Sequence, residues 1–590
     1  MDTLPTLLRR AAEHLSANQF AEARPLLDQA LALDPGSLDA NTLAGFVAAK
    51  QRRWPDAQGR YAKASTLRPD DFNLAFSAGE CAFFSLDMTA AVTFLQRATT
   101  LDPTNVQARF TLGKALSLTD NPASAFPVLH DVLSAINEKH LVHLWLGQTL
   151  RNTGQPDAAV EHLRQAAALA PANIEIRAQL AVTMNYAATV STTDLAAAHR
   201  DYGRILSESV RNAPRPTLKV HRGLRPPKLR IGLLSPDLKR HSVSHFLIPI
   251  VEHLDASRFE VYCYHALAEE DQFTARYKAA AHTFRNISAL NGVRIAEQIA
   301  ADHVHILIDL AGYTSNTRVP VLALRAAPVQ MTYLGYPNTT GIPECDYRIT
   351  DSRTDPAPHA ALHTEKLLYV DPCAHTFAPL DGWNAFPEPS PPPCLTQGHI
   401  TFGCFGAIMK FSDELVRMLT QTVLAVEDSK LLVKIKYLKT PEAQADLRAR
   451  FAHAGLRDPN RLLLEGPIAR DTDMFREYQR ADVVLDTFPY HGTTTTCECL
   501  SVGVPVVTRT ANRTAARVGL SLLSAVGLAD LAADDDHAFI NTARSLASDT
   551  LRLASLRAEL PARTRATLAD PAAFCRRFEA ALDRAWADSR

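Results

Sequence analysis

The rhythm of apolar and polar positions changes once along this chain. Through residue 212, apolar residues recur at helical spacing, as in LLDQALAL (26–33) and AVEHLRQAAALA (159–170). Three sets of positions share one 34-residue lattice. Pro35, Pro69, Pro103 and Pro171 form the first, with Asn137 at the vacant point. Gly45, Gly79, Gly113 and Gly147 form the second, continued by Ala181; Ala23, Ala57, Ala91, Ala125 and Ala159 form the third. Small residues let two helices approach closely, and a Pro ends one helix and opens the next turn. The lattice predicts about five helical pairs over residues 5–172. A partial repeat and a capping helix, containing MNY (184–186) and AAAHRDYG (196–203), run to about residue 210. Stacked pairs of this kind curve into a superhelix with a groove suited to peptides.

From Leu229 the texture becomes short apolar runs: LRIGLLS (229–235), FEVYCYH (259–265), HVHILIDLAG (303–312) and APVQMTYLGYP (327–337). After the Pro-rich PLDGWNAFPEPSPPPC (379–394), a second series follows. It comprises HITFGCFG (399–406), SKLLVKIKY (429–437), NRLLLEGPI (460–468), ADVVLDTF (481–488) and GVPVVTR (503–509). Strands alternating with helices predict parallel, doubly wound sheets. The expected organisation is a repeat region over 1–212, a Rossmann-like lobe over 225–377, a linker over 378–398 and a second Rossmann-like lobe over 399–590. Ligands of such sheets bind at the carboxyl ends of the strands.

Composition narrows the class. The 590 residues exceed one hydrophobic core, and an apolar fraction of 46% with 21% charged residues is that of a globular protein. A net charge of −1 gives no reason to expect nucleic acid or an anionic membrane as a partner. The first thirty residues hold no apolar signal segment, and no run of 18 apolar residues is long enough to span a bilayer. Nine scattered cysteines, an odd number, fit free thiols in a reducing cytoplasm, and Cys497 and Cys499 are too close together for a metal clip of the usual spacing.

The most specific chemistry lies in HGTTTTCECL (491–500), between the strand VVLDTF and a helix. A helix N-terminus offers unpaired N–H groups and roughly half a positive charge. Gly492 permits close approach of a ligand to the backbone, and Thr493, Thr494 and Thr495 add hydroxyl donors. Together they predict a seat for a phosphate or diphosphate, with Glu498 one turn on, placed to accept from ribose hydroxyls. There is no Gly-Lys-Ser/Thr of a Walker A loop and no G-x-G-x-x-G, which argues against a dinucleotide oxidoreductase. Asp471-Thr472-Asp473 has the Asp-x-Asp spacing of metal-dependent transferases, but it is read as an acidic first helical turn that complements the dipole.

A 34-residue period with small residues at these points resembles the tetratricopeptide repeat. Followed by SPDLKRHSVSHFL (235–247), LRAAPVQMTYLGYPNTTGIPECDYRITD (324–351), TFGCFGAIMKF (401–411) and LDTFPYHGTTTTCECLSVGVPVVT (485–508), it resembles the O-linked N-acetylglucosamine transferase family, glycosyltransferase family 41. The resemblance runs to about residue 580. It implies a two-lobed GT-B fold and metal-free, inverting transfer from UDP-N-acetylglucosamine to Ser or Thr of proteins held by the repeat groove. On the matching positions it implies that Lys410 neutralises the leaving diphosphate and that Asp237 and His241 line the acceptor side. There, a buried His paired with an Asp would be suited to take a hydroxyl proton. His245, His303 and His305 are read as structural. Tyr336 and Pro337 are expected at the sugar, and the backbone of Pro467-Ile468-Ala469 at the base. Met474 stands where the family has a His that packs on that loop, Gly406 and Ala407 where it usually has Asn or Gln, and Thr493 where animal enzymes carry His. The SPINDLY branch, which transfers fucose from GDP-fucose, resembles the GYPNTTG and GTTTTCE segments equally well. A repeat scaffold with weakly active lobes is the alternative of another class. The short linker between the lobes resembles bacterial members.

Overall fold

The computed structural model describes residues 2–220, 225–468, 470 and 473–588. It divides into two compact units: Met1–Thr153 with Glu161–Leu169, and Gly154–Val160 with Ala170–Arg590. The repeat helices are α1 (Leu4–Ser16), α2 (Phe20–Leu33), α3 (Leu38–Lys50), α4 (Trp54–Leu67), α5 (Phe72–Phe84) and α6 (Met88–Leu101). They continue as α7 (Val106–Leu116), α8 (Ala125–Val132), α9 (Lys139–Asn152), α10 (Pro156–Leu169), α11 (Ile174–Met184) and α12 (Thr192–Ser209).

Each lattice has a packing reason. Ala23, Ala57, Ala91, Ala125 and Ala159 are all fully buried. A Cβ at Gly45 would lie 3.0 Å from the Tyr61 ring, one at Gly79 2.6 Å from Leu95, and one at Gly113 2.5 Å from Leu129. The lattice glycine of one helix thus makes room for a large residue on the next. A fourth lattice escaped the sequence reading. Ser37, Asp71, Asn105 and Asn173, two residues after each lattice Pro, cap helices by accepting from the N–H groups of Ala40, Leu74, Ala108 and Ile176. Lys139 stands at the remaining point, and α9 begins there without a side-chain cap.

The second unit holds two sheets. The first contains β1 (Leu229–Ser235), β2 (Phe259–His265), β3 (Thr283–Asn286), β4 (Ile306–Asp309), β5 (Val329–Thr332), β6 (Tyr347–Thr350) and β7 (Lys366–Tyr369), ordered β3-β2-β1-β4-β5-β6-β7. The second contains β8 (Thr401–Phe405), β9 (Lys430–Lys434), β10 (Leu462–Glu465), β11 (Val483–Leu485), β12 (Val506–Arg509) and β13 (Ala532–Ala533), ordered β10-β9-β8-β11-β12-β13. Every pairing is parallel. All nine apolar runs contain a strand. The Pro-rich segment holds only a short 3-10 turn, Trp383–Ala385, and a one-turn helix, Cys394–Gln397. It is pinned to the second lobe by Phe386, which stacks on Phe475 at 4.2 Å.

Two allegiances differ from the expected boundaries. The helix Pro571–Asp588 returns to the first lobe, where Phe574, Phe578 and Trp586 pack in one core with Ile231 and Ile308. In addition, α11 and α12 join the second unit rather than the repeats. Tyr202 and Leu206 of α12 share a core with Leu234, Tyr262 and Leu307. There the backbones nearly touch: a Cβ on Gly203 would sit 1.7 Å from the Gly341 carbonyl oxygen.

Among the described residues, no helix is long and apolar enough to cross a membrane. All nine cysteines are unpaired.

Candidate active site

The strand orders reverse between β1 and β4 and between β8 and β11, and crevices form at such switch points. Asp237 and His241 follow β1, Lys410 follows β8 and the HGTTTT turn follows β11, whereas the GYPNTTG loop follows β5. Lys410 ends the 3-10 turn Ile408–Lys410 that follows β8. Its half-buried Nζ donates to the His491 carbonyl oxygen at 2.8 Å and lies 4.4 Å from the Tyr490 ring centroid. Burial lowers the pKa of this ammonium to about 8, and the Asp486 carboxylate opposes that shift. The FGAIMK loop and the HGTTTT turn, 81 residues apart in the chain, are therefore joined through Lys410.

The helix Thr494–Ser501 follows β11, and Thr493 at its N-cap forms no side-chain capping bond. Capping is not what the threonine run does. Thr493, Thr494 and Thr495 are half-buried at the helix mouth, while Thr496 is buried and donates to the Gly492 carbonyl oxygen at 2.9 Å. Gly492 differs from expectation. Its N–H donates to Asp486 Oδ1 at 2.8 Å, so Gly492 shapes the turn and the donors begin at Thr493. A Cβ there would meet Thr496 Oγ1 at 3.3 Å. Glu498 accepts from the Tyr478 hydroxyl at 2.7 Å.

Asp486 and His491 lie inside the quoted motif, yet sequence reasoning gave them no role. Asp486 accepts from Thr487 N–H at 2.8 Å and from Thr508 Oγ1 at 2.9 Å, besides Gly492, and so fixes the turn. His491 is buried. Its Nδ1 accepts the Gly519 N–H at 3.1 Å, which assigns the proton to Nε2, 2.7 Å from the Arg509 carbonyl oxygen. Burial holds its pKa below the usual value, so a neutral ring orients the carbonyl that receives Lys410.

Tyr336, Pro337 and Arg348 of the first lobe line one cleft with Tyr490, His491 and Thr493 of the second. The structure thereby brings together the expected sugar residues and the expected phosphate seat. Arg348, also missed, donates to the carbonyl oxygens of Tyr336 at 3.2 Å and Asn338 at 2.8 Å and braces the GYPNTTG loop.

Asp237 and His241 follow β1 as expected, but His241 is not buried: its side chain is 43% exposed. Its Nδ1 lies 3.7 Å from Asp237 Oδ2, too far for a hydrogen bond, and accepts instead from Val243 N–H at 3.3 Å. Burial raises the pKa of Asp237. His245 and His305 make structural bonds, to the Ala378 carbonyl oxygen at 3.1 Å and from the Arg230 N–H at 3.0 Å. His303 occupies a left-handed turn. Pro467 is exposed, and Met474 begins a short helix and packs on the second-lobe core. Ala469 and Asp471 lie outside the described residues; Asp473 precedes that short helix without capping it.

One group of potential metal ligands occurs among the described residues: Asp351, Cys373 and His375, with ligand atoms within 4.8 Å of one another. The Asp351 carboxylate accepts from Thr354 N–H at 2.8 Å, Ala374 N–H at 2.9 Å and the Ser521 hydroxyl at 2.8 Å. That is the donor shell of a structural carboxylate.

Helical repeats followed by two parallel sheets, loops of both of which line one cleft, define a GT-B glycosyltransferase architecture. The chain belongs to glycosyl transferase family 41, whose model matches residues 184–388 and 394–578. Tetratricopeptide-repeat models match residues 14–78 and 141–183. A probable UDP-N-acetylglucosamine–peptide N-acetylglucosaminyltransferase SPINDLY of Solanum lycopersicum is 34% identical over 410 residues, covering 69% of this chain and 43% of that protein. The UDP-N-acetylglucosamine–peptide N-acetylglucosaminyltransferase of Caenorhabditis elegans is 28% identical over 474 residues, covering 61% and 41%. This chain spans about two fifths of the length of the curated relatives it matches. A lysine-to-methionine mutant of the Thermobaculum terrenum O-GlcNAc transferase superposes with a TM-score of 0.70 at 27% identity, covering 100% of this chain and 99% of that one.

Proposed function

We propose that this protein moves N-acetylglucosamine from UDP-N-acetylglucosamine to Ser or Thr hydroxyls of proteins, with inversion and without a metal. The supporting observation is the convergence of the Lys410 ammonium and the uncapped helix mouth at Thr493 on one turn. The acceptor oxygen attacks the anomeric carbon from the face opposite the diphosphate, and the bond from that carbon to the β-phosphate oxygen breaks. Negative charge grows on that phosphate as the bond breaks. Lys410 and the N–H groups of Thr493–Thr495 are the preorganised counter-charge. Tyr336 and Pro337 bound the sugar, Glu498 meets the ribose, and Pro467 with Met474 borders the base. Asp237 and His241 lie on the acceptor side, where the hydroxyl proton departs. Names of relatives in two kingdoms support the donor.

Because the counter-charge is protein-borne, transfer is expected to continue in excess EDTA. Loss of activity that Mn²⁺ restores would revive Asp471 and Asp473 as ligands.

The repeats are assigned to the acceptor protein. Since α11 and α12 pack with the catalytic lobes, a fragment beginning at residue 170 keeps them. It is expected to bind UDP with near full-length affinity, measured calorimetrically, while losing glycosylation of protein acceptors. A fragment beginning at residue 201 lacks α11 and half of α12 and is expected not to fold. Full protein glycosylation by the 170–590 fragment would make the repeats purely structural.

A further inference from the structure

Two adjacent residues at the end of α11 each hold one wall of the cleft. Asn185 is buried, and its Nδ2 donates to the Tyr336 hydroxyl at 2.8 Å. Its Oδ1 accepts from Asn338 Nδ2 at 2.9 Å. The Tyr336 hydroxyl also lies 2.8 Å from Nε2 of His199 on α12. His199 Nδ1 lies 2.7 Å from the Leu195 carbonyl oxygen, so Nδ1 carries the proton and Nε2 accepts from Tyr336. Burial lowers the His199 pKa to about 4, in keeping with that neutral ring. Asn185 and His199 thus fix the first-lobe wall.

Tyr186 faces the other lobe. Its ring stacks on Tyr490, centroids 4.9 Å apart and planes 8° from parallel. Tyr490 is the ring over which the Lys410 ammonium sits. The same connection between α11 and α12 receives Arg513 of the second lobe, which donates to the Ala187 carbonyl oxygen at 3.0 Å and to that of Val190. Exclusion of water disfavours the Lys410 ammonium and lowers its pKa, and the stacked Tyr186 ring both fixes the aromatic face beneath that ammonium and shields it from water.

We propose that Asn185 and Tyr186 are a positioning pair: Asn185 fixes Tyr336 on one wall, and Tyr186, by supporting Tyr490, sets the place of the Lys410 ammonium on the other. The consequence for turnover rests on the transferase reading above; the placement of Lys410 does not. Besides Tyr490, the groups facing Lys410 are the Asp486 carboxylate, the buried Cys404 thiol and the neutral His491 ring.

The test is pH-dependent acylation of lysine amines in the full chain, read at Lys410 by mass spectrometry. In the native protein the midpoint should lie near pH 8, from the lowered pKa of about 8. Tyr186→Phe keeps the ring and should leave it there. Tyr186→Leu and Tyr186→Met remove the stack, admit water, and should move the midpoint up by roughly one pH unit or more, toward the ordinary lysine value of about 10.4. In an assay of transfer, the same two variants should lose roughly 10- to 100-fold in turnover with a smaller change in KM, and Tyr186→Phe should retain it. An unmoved midpoint in a folded Leu or Met variant overturns the proposal, as does a moved midpoint in the Phe variant. A moved midpoint in a chain inactive with every sugar donor supports the placement of Lys410 by Tyr186 and removes the transferase reading instead.

Discussion

Lys410→Ala is expected to fold and melt as the native protein does while losing about 10²–10³ in turnover, or about 3–4 kcal/mol of transition-state stabilisation. The side chain reaches over the Tyr490 ring to one carbonyl oxygen, so its removal leaves one unpaired acceptor and no large cavity. UDP affinity should fall less than turnover, because the diphosphate carries more charge in the transition state than in the bound donor. Lys410→Arg should restore little, since a planar fork does not replace a compact point charge between a ring and a carbonyl. The lowered pKa adds a pH signature. In the proposed reaction Lys410 contributes as the ammonium, which is present below the folded-state pKa of about 8 and lost above it. Activity should therefore decline as pH rises through about 8, with the alkaline limb following Lys410 rather than the unfolding curve. A Lys410→Ala protein retaining more than about a tenth of native turnover, far above the expected loss, would place the counter-charge on another group.

Gly203→Ala is the substitution with the largest expected effect on stability. Two backbones meet there with no side chain between them. The new Cβ would fall 1.7 Å from the Gly341 carbonyl oxygen and 2.7 Å from the Ile342 nitrogen. Gly341 cannot give way easily, because a Cβ on it would in turn lie 1.9 Å from the His199 carbonyl oxygen, and its φ is +67°. Overpacking against flexible side chains costs about 1–3 kcal/mol; against two backbones the cost should reach about 3 kcal/mol or more. The variant should melt several degrees lower. It should also lose transfer in excess of any unfolding, because α12 carries His199 and the GYPNTTG loop carries Tyr336. An unchanged melting temperature would mean that α12 docks with slack.

Most of the fold was legible because its signals are local. Each lattice residue acts on the next helix, and Leu95 lies only 16 residues beyond the glycine it packs on. The central strands read as apolar runs because both of their faces are buried. The strands that escaped notice have other compositions. Thr283–Asn286 and Lys366–Tyr369 are edges that are only partly buried, and Ala532–Ala533 is two residues long. Tyr347–Thr350 is fully buried but carries Arg348, whose charge is met by the buried Asp355 3.3 Å away. Nothing in the spacing could announce the return of the helix Pro571–Asp588 to the first lobe, since its apolar stripe suits either lobe. The motif residues reached the cleft as expected, but their hydrogen bonding was hidden. That Gly492 gives its N–H to Asp486, and that Asn185 and His199 share the Tyr336 hydroxyl, depends on contacts across 6, 151 and 137 residues.

In the proposed reaction Lys410 and the helix mouth at Thr493 carry the charge of a departing UDP. The most direct measurement supplies UDP-N-acetylglucosamine and GDP-fucose separately to the full chain and to Lys410→Ala, with an unstructured Ser/Thr-rich protein as acceptor. Sugar on Ser and Thr is then counted by mass spectrometry. The predicted result is N-acetylglucosamine on the acceptor from the UDP donor only, abolished in Lys410→Ala. Fucose transfer from the GDP donor alone, or equal labelling by the native protein and Lys410→Ala, would contradict it.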